Sequence, residues 1–203
     1  QKMGSKNLKM KKGFSLIELS IVILIISMII AGVTQGGKIV REYRLNTARQ
    51  FTKGSPVLTI PDMAFWLDAT AANGIATGTS TFTNVDDPAN GTAIGRWNDM
   101  NPVAIGSTFN FTQATATNQP TYNTNQINGL PALLFDCTND CFSISNFLLK
   151  NIVSADGNNE ITLFVVQQIN TTSSINSSVW SWDNGLSDRF ILFTPWGTNI
   201  LID

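Results

Sequence analysis

The chain has 203 residues, with 13 Lys and Arg against 14 Asp and Glu, a formal charge of −1, and no His. The missing imidazole excludes His-based catalytic triads and His metal ligands. The near-neutral total hides a division: residues 1–53 hold ten of the basic residues and two acids, leaving three against twelve beyond. An acidic, Lys-poor C-terminal portion lacks the clustered cations that bind nucleic acid through counterion release.

Residues 9–33 read KMKKGFSLIELSIVILIISMIIAGV. Lys2, Lys6, Lys9, Lys11 and Lys12 precede a Gly13-Phe14 junction, and the apolar run that follows is broken by a single acid, Glu18. An apolar stretch of about 20 residues rises roughly 30 Å as a helix, the hydrocarbon thickness of a bilayer. Residues 14–33 therefore predict a membrane span. The positive-inside bias keeps the lysine-rich head cytoplasmic and sends the remainder outward. A removable secretory signal is the competing reading, but its apolar core is shorter, about 7 to 15 residues, and a small-residue cleavage site follows it. Here the run is longer and continues into a polar helix. A carboxylate mid-span costs about 2.5 to 3.5 kcal/mol, so Glu18 either reaches the headgroups from the membrane edge or meets a partner charge.

Lys11-Lys12-Gly13-Phe14-Ser15-Leu16-Ile17-Glu18 resembles the processing site of type IV pilins and of the pseudopilins of type II secretion, a resemblance covering roughly residues 9–40. It implies a prepilin leader over residues 1–13, cleavage by a membrane-embedded prepilin peptidase after Gly13, and N-methylation of the new terminus, Phe14. Glu18 becomes the acid at the fifth mature position. Inside a fibre of bundled helices, a buried carboxylate is tolerated when it meets a buried ammonium, and cleavage creates that ammonium on Phe14. Other pilin subunits are then the partners. The location is the bacterial inner membrane before assembly, and a surface pilus or periplasmic pseudopilus after it.

The stem helix is expected to continue to residue 53, with Val40, Tyr43, Thr47 and Phe51 forming an apolar stripe that packs on the head. A plain flexible linker is the alternative, opposed by Arg41, Arg44 and Arg49 along a polar face. Gly36-Gly37 predicts a weak point or bend, since each interior Gly costs about 0.8 to 1 kcal/mol relative to Ala. Gly54-Ser55-Pro56 closes the helix, and residues 54–60 read as a linker.

Beyond it, Ser, Thr, Asn and Gly dominate, and short apolar or alternating runs predict strands near 62–69, 93–98, 103–111, 131–135, 160–169, 178–183, 188–194 and 199–203. Regularly spaced short strands predict a sandwich or jelly roll. Ile161 to Val166, nearly all apolar, is expected to be a central strand buried on both sides. Four phrases, Pro61-Asp62-Met63-Ala64-Phe65-Trp66-Leu67-Asp68-Ala69, Arg96-Trp97-Asn98-Asp99, Asn128-Gly129-Leu130-Pro131-Ala132-Leu133-Leu134-Phe135-Asp136 and Ile161 to Val166, together resemble the bacterial concanavalin A-like, or LamG-like, jelly-roll domains over residues 61–203. Where that family often has Asp followed by a Ser-Gly turn, this chain has Asp99-Met100-Asn101-Pro102. The expected fold class is α+β, a long pilin-like helix followed by an all-β sandwich. The chain is expected to be a fragment at both ends, with Met3 or Met10 as initiators and the sandwich incomplete after Asp203.

Carbohydrate-cleaving relatives of that fold resemble one another in an acidic Glu-x-Asp-x-Glu strand. Residues beyond 53 contain one Glu, Glu160, so that motif is absent and no enzyme is expected. Cys137 and Cys141, the two cysteines, predict a local disulfide in an oxidising compartment. A zinc site would need two more ligands. Asp86 with Asp87, Asp136 with Asp140, and Asp183 with Asp188 are candidate oxygen donors to Ca²⁺, against the alternative of plain solvated loops. Five tryptophans raise a sugar-stacking platform, against the alternative that Trp66, Trp97, Trp180 and Trp182 are core. Asn90, Asn110, Asn170 and Asn176 open sequon matches of the kind a Ser/Thr/Asn-rich chain produces by chance.

Three functions compete: a minor or tip pilin-like subunit displaying a lectin-like head for adhesion to carbohydrate or a host surface, a secretion pseudopilin, and a membrane-anchored surface lectin that enters no fibre. An N-terminus at Phe14 separates the first two from the third.

Overall fold

A computed structural model describes residues 13–61, 63–102, 109–136, 138–144, 162–169, 178–183, 189–196 and 199–202. The chain is α+β: one long N-terminal apolar helix followed by antiparallel β-sheets. Two compact units divide it, Gln1–Arg44 and Leu45–Asp203.

Helix α1 is Leu16–Lys53. No Pro occurs before Pro56, so nothing interrupts the backbone ladder. The helix runs unbroken through Gly36-Gly37, the expected weak point. It ends as expected: Gly54 N–H donates to Gln50 O at 3.0 Å, Ser55 N–H to Thr52 O at 3.1 Å, and Pro56 opens a 3₁₀ turn, Pro56–Thr59.

The expected stripe is not what the helix buries. Of the expected stripe Val40, Tyr43 and Phe51 are exposed and Thr47 is half-buried, whereas Leu45 is buried and Ala48, Arg49 and Thr52, on its face, are half-buried. Those four positions lie at offsets of 0, 3, 4 and 7 from Leu45, one helical face. Arg49 is the reason that face is chosen. Its Nε donates to Thr70 O at 2.6 Å, and its two terminal nitrogens fork onto the Asp86 carboxylate. The last turns of α1 are thereby fastened to the β-rich unit to which they belong.

Strands β1 (Ile75–Thr77), β2 (Thr83–Val85), β4 (Arg96–Trp97) and β5 (Phe111–Thr112) form an antiparallel sheet ordered β2-β1-β4-β5. A second sheet, β3-β6-β7, joins Thr92–Ala93, Thr121–Ile127 and Leu130–Leu134. A third joins β8 (Ser178–Asp183), β9 (Arg189–Trp196) and β10 (Asn199–Ile202) in the order β10-β9-β8. Ile75, Ile94 and Tyr122 form the core between the first two sheets, with Val85, Trp97, Leu133 and Phe142 packed around it. Trp97 meets Phe142 at 6.3 Å between ring centroids.

The strand expected over 93–98 is two strands in two sheets. Ile94 N–H donates to Pro120 O and Gly95 N–H to Ala76 O, so the chain crosses between sheets at this dipeptide. Only glycine fits there: a Cβ on Gly95 would collide with Gly78 O and press on Gln119 Nε2 and the Phe82 ring. Residues 62–69 give an isolated bridge, Leu67 to Asp99, in place of a strand among the described residues. Residues 103–108 lie outside the described residues. The largest correction concerns the apolar run expected as a central buried strand. Residues 162–169 are described and form no strand, with Phe164 and Val166 86% and 85% exposed. Apolarity reports a tendency to be buried, but a strand also requires a neighbouring ladder, and among the described residues none pairs with this run.

Candidate functional site

The segment that sequence singles out begins at the helix N-terminus. Gly13 and Phe14 are exposed, Phe14 at 90%, and a Cβ built on Gly13 meets nothing within 4 Å. Leu19 N–H donates to Ser15 O at 3.1 Å, the first turn of the helix, and Ser15 N–H donates to Glu18 Oε2 at 2.9 Å. Glu18 thus reaches back to satisfy one of the orphan amides at the helix start, half of a capping box, and stands where a negative charge complements the helix dipole. Ser15 was not singled out by sequence, although the Ser-x-x-Glu spacing announces it. Lone carboxylates are costly in an apolar run, and this one has a local partner before any second chain arrives.

From Leu16 to Val33 the large apolar side chains stand out from the helix, each about half exposed or more. The hydroxyls within the run are turned inward. Ser20 Oγ donates to Ile17 O at 2.8 Å, Ser27 Oγ to Ile23 O at 2.7 Å, and Thr34 Oγ1 to Ile30 O at 3.0 Å. Back-bonding of this kind leaves no hydroxyl unpaired in a medium without water, where each unsatisfied group costs several kcal/mol. Helix α1 is long and apolar enough to cross a membrane. On the opposite side of Gly36-Gly37, Lys38 and Glu42 form an exposed i,i+4 pair at 3.8 Å, the surface chemistry of a helix in water.

The other predicted site residues are dispersed. Asp86 is held by Arg49, and Asp87, with φ 47°, accepts from Tyr122 Oη at 3.1 Å. Asp136 organises its own loop: Oδ1 accepts from the amides of Thr138 at 2.8 Å, Asn139 at 3.2 Å and Asp140 at 3.4 Å, while Asp136 N–H donates to Asp140 Oδ2 at 2.9 Å. The Thr138 amide, first among these, holds the Asp136 carboxyl below its ordinary value, whereas desolvation raises that of Asp140. Among the described residues no three His, Cys, Asp or Glu side chains gather as a metal cluster. Cys141 is exposed and its Sγ accepts from Gln113 Nε2 at 3.2 Å, while Cys137, its expected disulfide partner, lies outside the described residues. Asp183 carries backbone in β8, and Asp188 lies outside. Trp97 packs against the core, and its Nε1 is buried with no hydrogen-bond partner among the described residues.

Asp99, which the sequence does not mark as a site, is a buried carboxylate. It is 9% exposed. Its Oδ1 accepts from Trp66 N–H at 2.9 Å and Asn101 N–H at 3.0 Å, its Oδ2 from Phe109 N–H at 3.0 Å. Asn101 Nδ2 in turn donates to Met63 O at 2.6 Å. These bonds join three chain segments at the end of β4, a structural use of a buried carboxylate.

The chain matches the family model described as a prokaryotic N-terminal methylation motif over residues 8–34, so the N-terminal segment is type IV pilin-like. Nothing matches among the curated proteins or among the solved structures.

Proposed function

We propose that the chain is a type IV pilin-like subunit, processed by a prepilin peptidase after Gly13, methylated on Phe14, and assembled with other pilin subunits through residues 14–53. The observation that carries this reading is a coincidence of position. The methylation motif at residues 8–34 falls on the helix whose apolar side chains are exposed and whose hydroxyls are all internally bonded. Before assembly that surface faces lipid; in a fibre it faces the stem helices of other pilin subunits. Glu18 then exchanges the Ser15 amide for the Phe14 ammonium of a neighbouring subunit and fixes axial register, the best-attested use of a buried ion pair.

Beyond the linker at 54–60, residues 61–203 are proposed to be the displayed head, a concanavalin A-like sandwich that binds a surface ligand. The support is the four phrases that resemble that family and the antiparallel sheets of this unit. A bulky head suits a minor or tip position better than a repeating shaft.

The test is incorporation. Glu18→Ala should leave cleavage intact and remove the subunit from sheared surface fibres. Leaving a buried ammonium uncompensated costs about 3 to 5 kcal/mol, a loss of roughly a hundredfold or more. Normal recovery of the variant in fibres refutes the assembly role of Glu18.

A further inference from the structure

Three Asn-Gly pairs lie among the described residues: Asn73-Gly74, Asn90-Gly91 and Asn128-Gly129. This dipeptide has its own covalent chemistry. The glycine amide nitrogen, unhindered by a side chain, attacks the asparagine carboxamide carbon. A new C–N bond forms, the bond to the side-chain nitrogen breaks, and that nitrogen leaves as ammonia with the proton given up by the glycine amide. Water then opens the resulting succinimide at either carbonyl, giving aspartate or isoaspartate. The reaction needs a glycine N–H that is free to be deprotonated and a carboxamide that is free to turn.

At two of the pairs the fold engages the glycine N–H. Gly74 is buried and its N–H donates to Ala71 O at 3.0 Å, while Asn98 clamps the flanking carbonyls, donating from Nδ2 to Asn73 O at 2.6 Å and from its own N–H to Gly74 O at 2.8 Å. Gly91 N–H donates to Tyr122 O at 2.8 Å, and the Asn90 carboxamide oxygen accepts from Thr124 N–H at 3.0 Å. The third pair is different. Asn128 and Gly129 are the two central residues of the β6–β7 hairpin, where Ile127 faces Leu130. Their φ values of 53° and 78° define a type I′ turn, which explains why Asn-Gly stands there. Asn128 is exposed, and among the described residues neither its carboxamide nor the Gly129 N–H has a hydrogen-bond partner.

We propose that Asn128 is a site of spontaneous deamidation, selected over Asn73 and Asn90 by the free Gly129 amide at the hairpin tip. The isoaspartate product routes the main chain through Cβ and adds a methylene to a two-residue turn, which the Ile127-to-Leu130 pairing does not accommodate. Because Tyr122 of the core lies on the same strand, β6, the modification loosens the sheet that covers the core.

The full chain, solubilised in detergent, is held at mildly alkaline pH, and conversion at each pair is followed by fragmentation mass spectrometry. Conversion at Asn128 should run roughly tenfold or more ahead of Asn73 and Asn90, since the glycine N–H of each of those pairs must first give up a backbone hydrogen bond. In urea the three rates should converge. Asn128→Gly, which keeps a type I′ turn, should remove the fast phase of ammonia release. Equal rates at the three pairs in the folded chain, or protection of Asn128 relative to the unfolded chain, overturns the proposal.

Discussion

The two ends of helix α1 solve opposite problems. Around residues 14–33 every large apolar side chain is exposed and the polar atoms are satisfied within the helix itself, by Ser15, Glu18 and the back-bonded hydroxyls. Around residues 45–53 one side chain, Leu45, is buried, and a cation reaches outward to partners 21 and 37 residues away in sequence. The first arrangement is self-sufficient in hydrogen bonds and deficient in apolar partners, which is what an element built to enter lipid or a bundle requires. The second belongs to a domain folded in water, where specificity comes from long-range polar contacts.

That contrast can be broken at the β-rich end without touching the stem. Asp99→Ala leaves the amides of Trp66, Asn101 and Phe109 without their acceptor in a buried site. The expected destabilisation is about 3 to 5 kcal/mol. Thermal unfolding followed by tryptophan fluorescence should show it, while helix content assigned to residues 14–33 in detergent stays constant. Parallel loss of both would mean the two regions do not fold independently.

A smaller effect is expected at the fastening of the helix end. Arg49→Ala removes the bond to Thr70 O and the fork on Asp86; with Asp86 half-exposed, the expected cost is about 1 to 2 kcal/mol. Hydrogen exchange should accelerate in residues 45–53 and around residue 70, with little change at Ile75 or Tyr122. Arg49→Lys should rescue poorly, because an ammonium cannot reproduce the fork.

The smallest effect is local and pH-dependent. The lowered pKa of Asp136, held down by the Thr138 amide first, means its contribution to the 136–140 loop is present above the ordinary carboxylate value of about 3.9 and is lost as pH falls through the lowered value. Asp140, raised by desolvation, contributes in the other direction, favouring the loop below its ordinary value and ceasing to do so as pH rises through the raised one. Amide shifts of Thr138 and Asn139 should therefore titrate on acidification, with the core amides unmoved. Asp136→Ala should abolish that titration.

Legibility in the sequence follows the same division. The stem was legible because its message is local: an apolar run, one acid, a glycine junction, a Gly-Ser-Pro stop. Strands β7 to β10 were legible because their apolar residues are frequent. Strands β1, β2 and β6 were not. Thr83-Asn84-Val85 and Thr121-Tyr122-Asn123-Thr124-Asn125-Gln126-Ile127 carry few apolar residues and are held by ladder bonds and by single anchors such as Tyr122. The run at 161–166 misled for the converse reason, having apolar residues without a described neighbouring strand. Arg49 was read as part of a solvated face, because nothing in its neighbourhood announces Asp86 or Thr70. Asp99 stood inside a quoted phrase, Arg96-Trp97-Asn98-Asp99, but its three amide donors come from residues 66, 101 and 109, a convergence that only the fold creates.

The central claim is that the exposed apolar helix is a processed assembly element. The most direct measurement is the N-terminal sequence and mass of the protein produced in cells with an active prepilin peptidase and in cells with an inactive one. The account predicts a chain beginning at N-methylated Phe14 in the first case and a leader still joined through Gly13 in the second. The same unprocessed or differently cleaved N-terminus in both would contradict it.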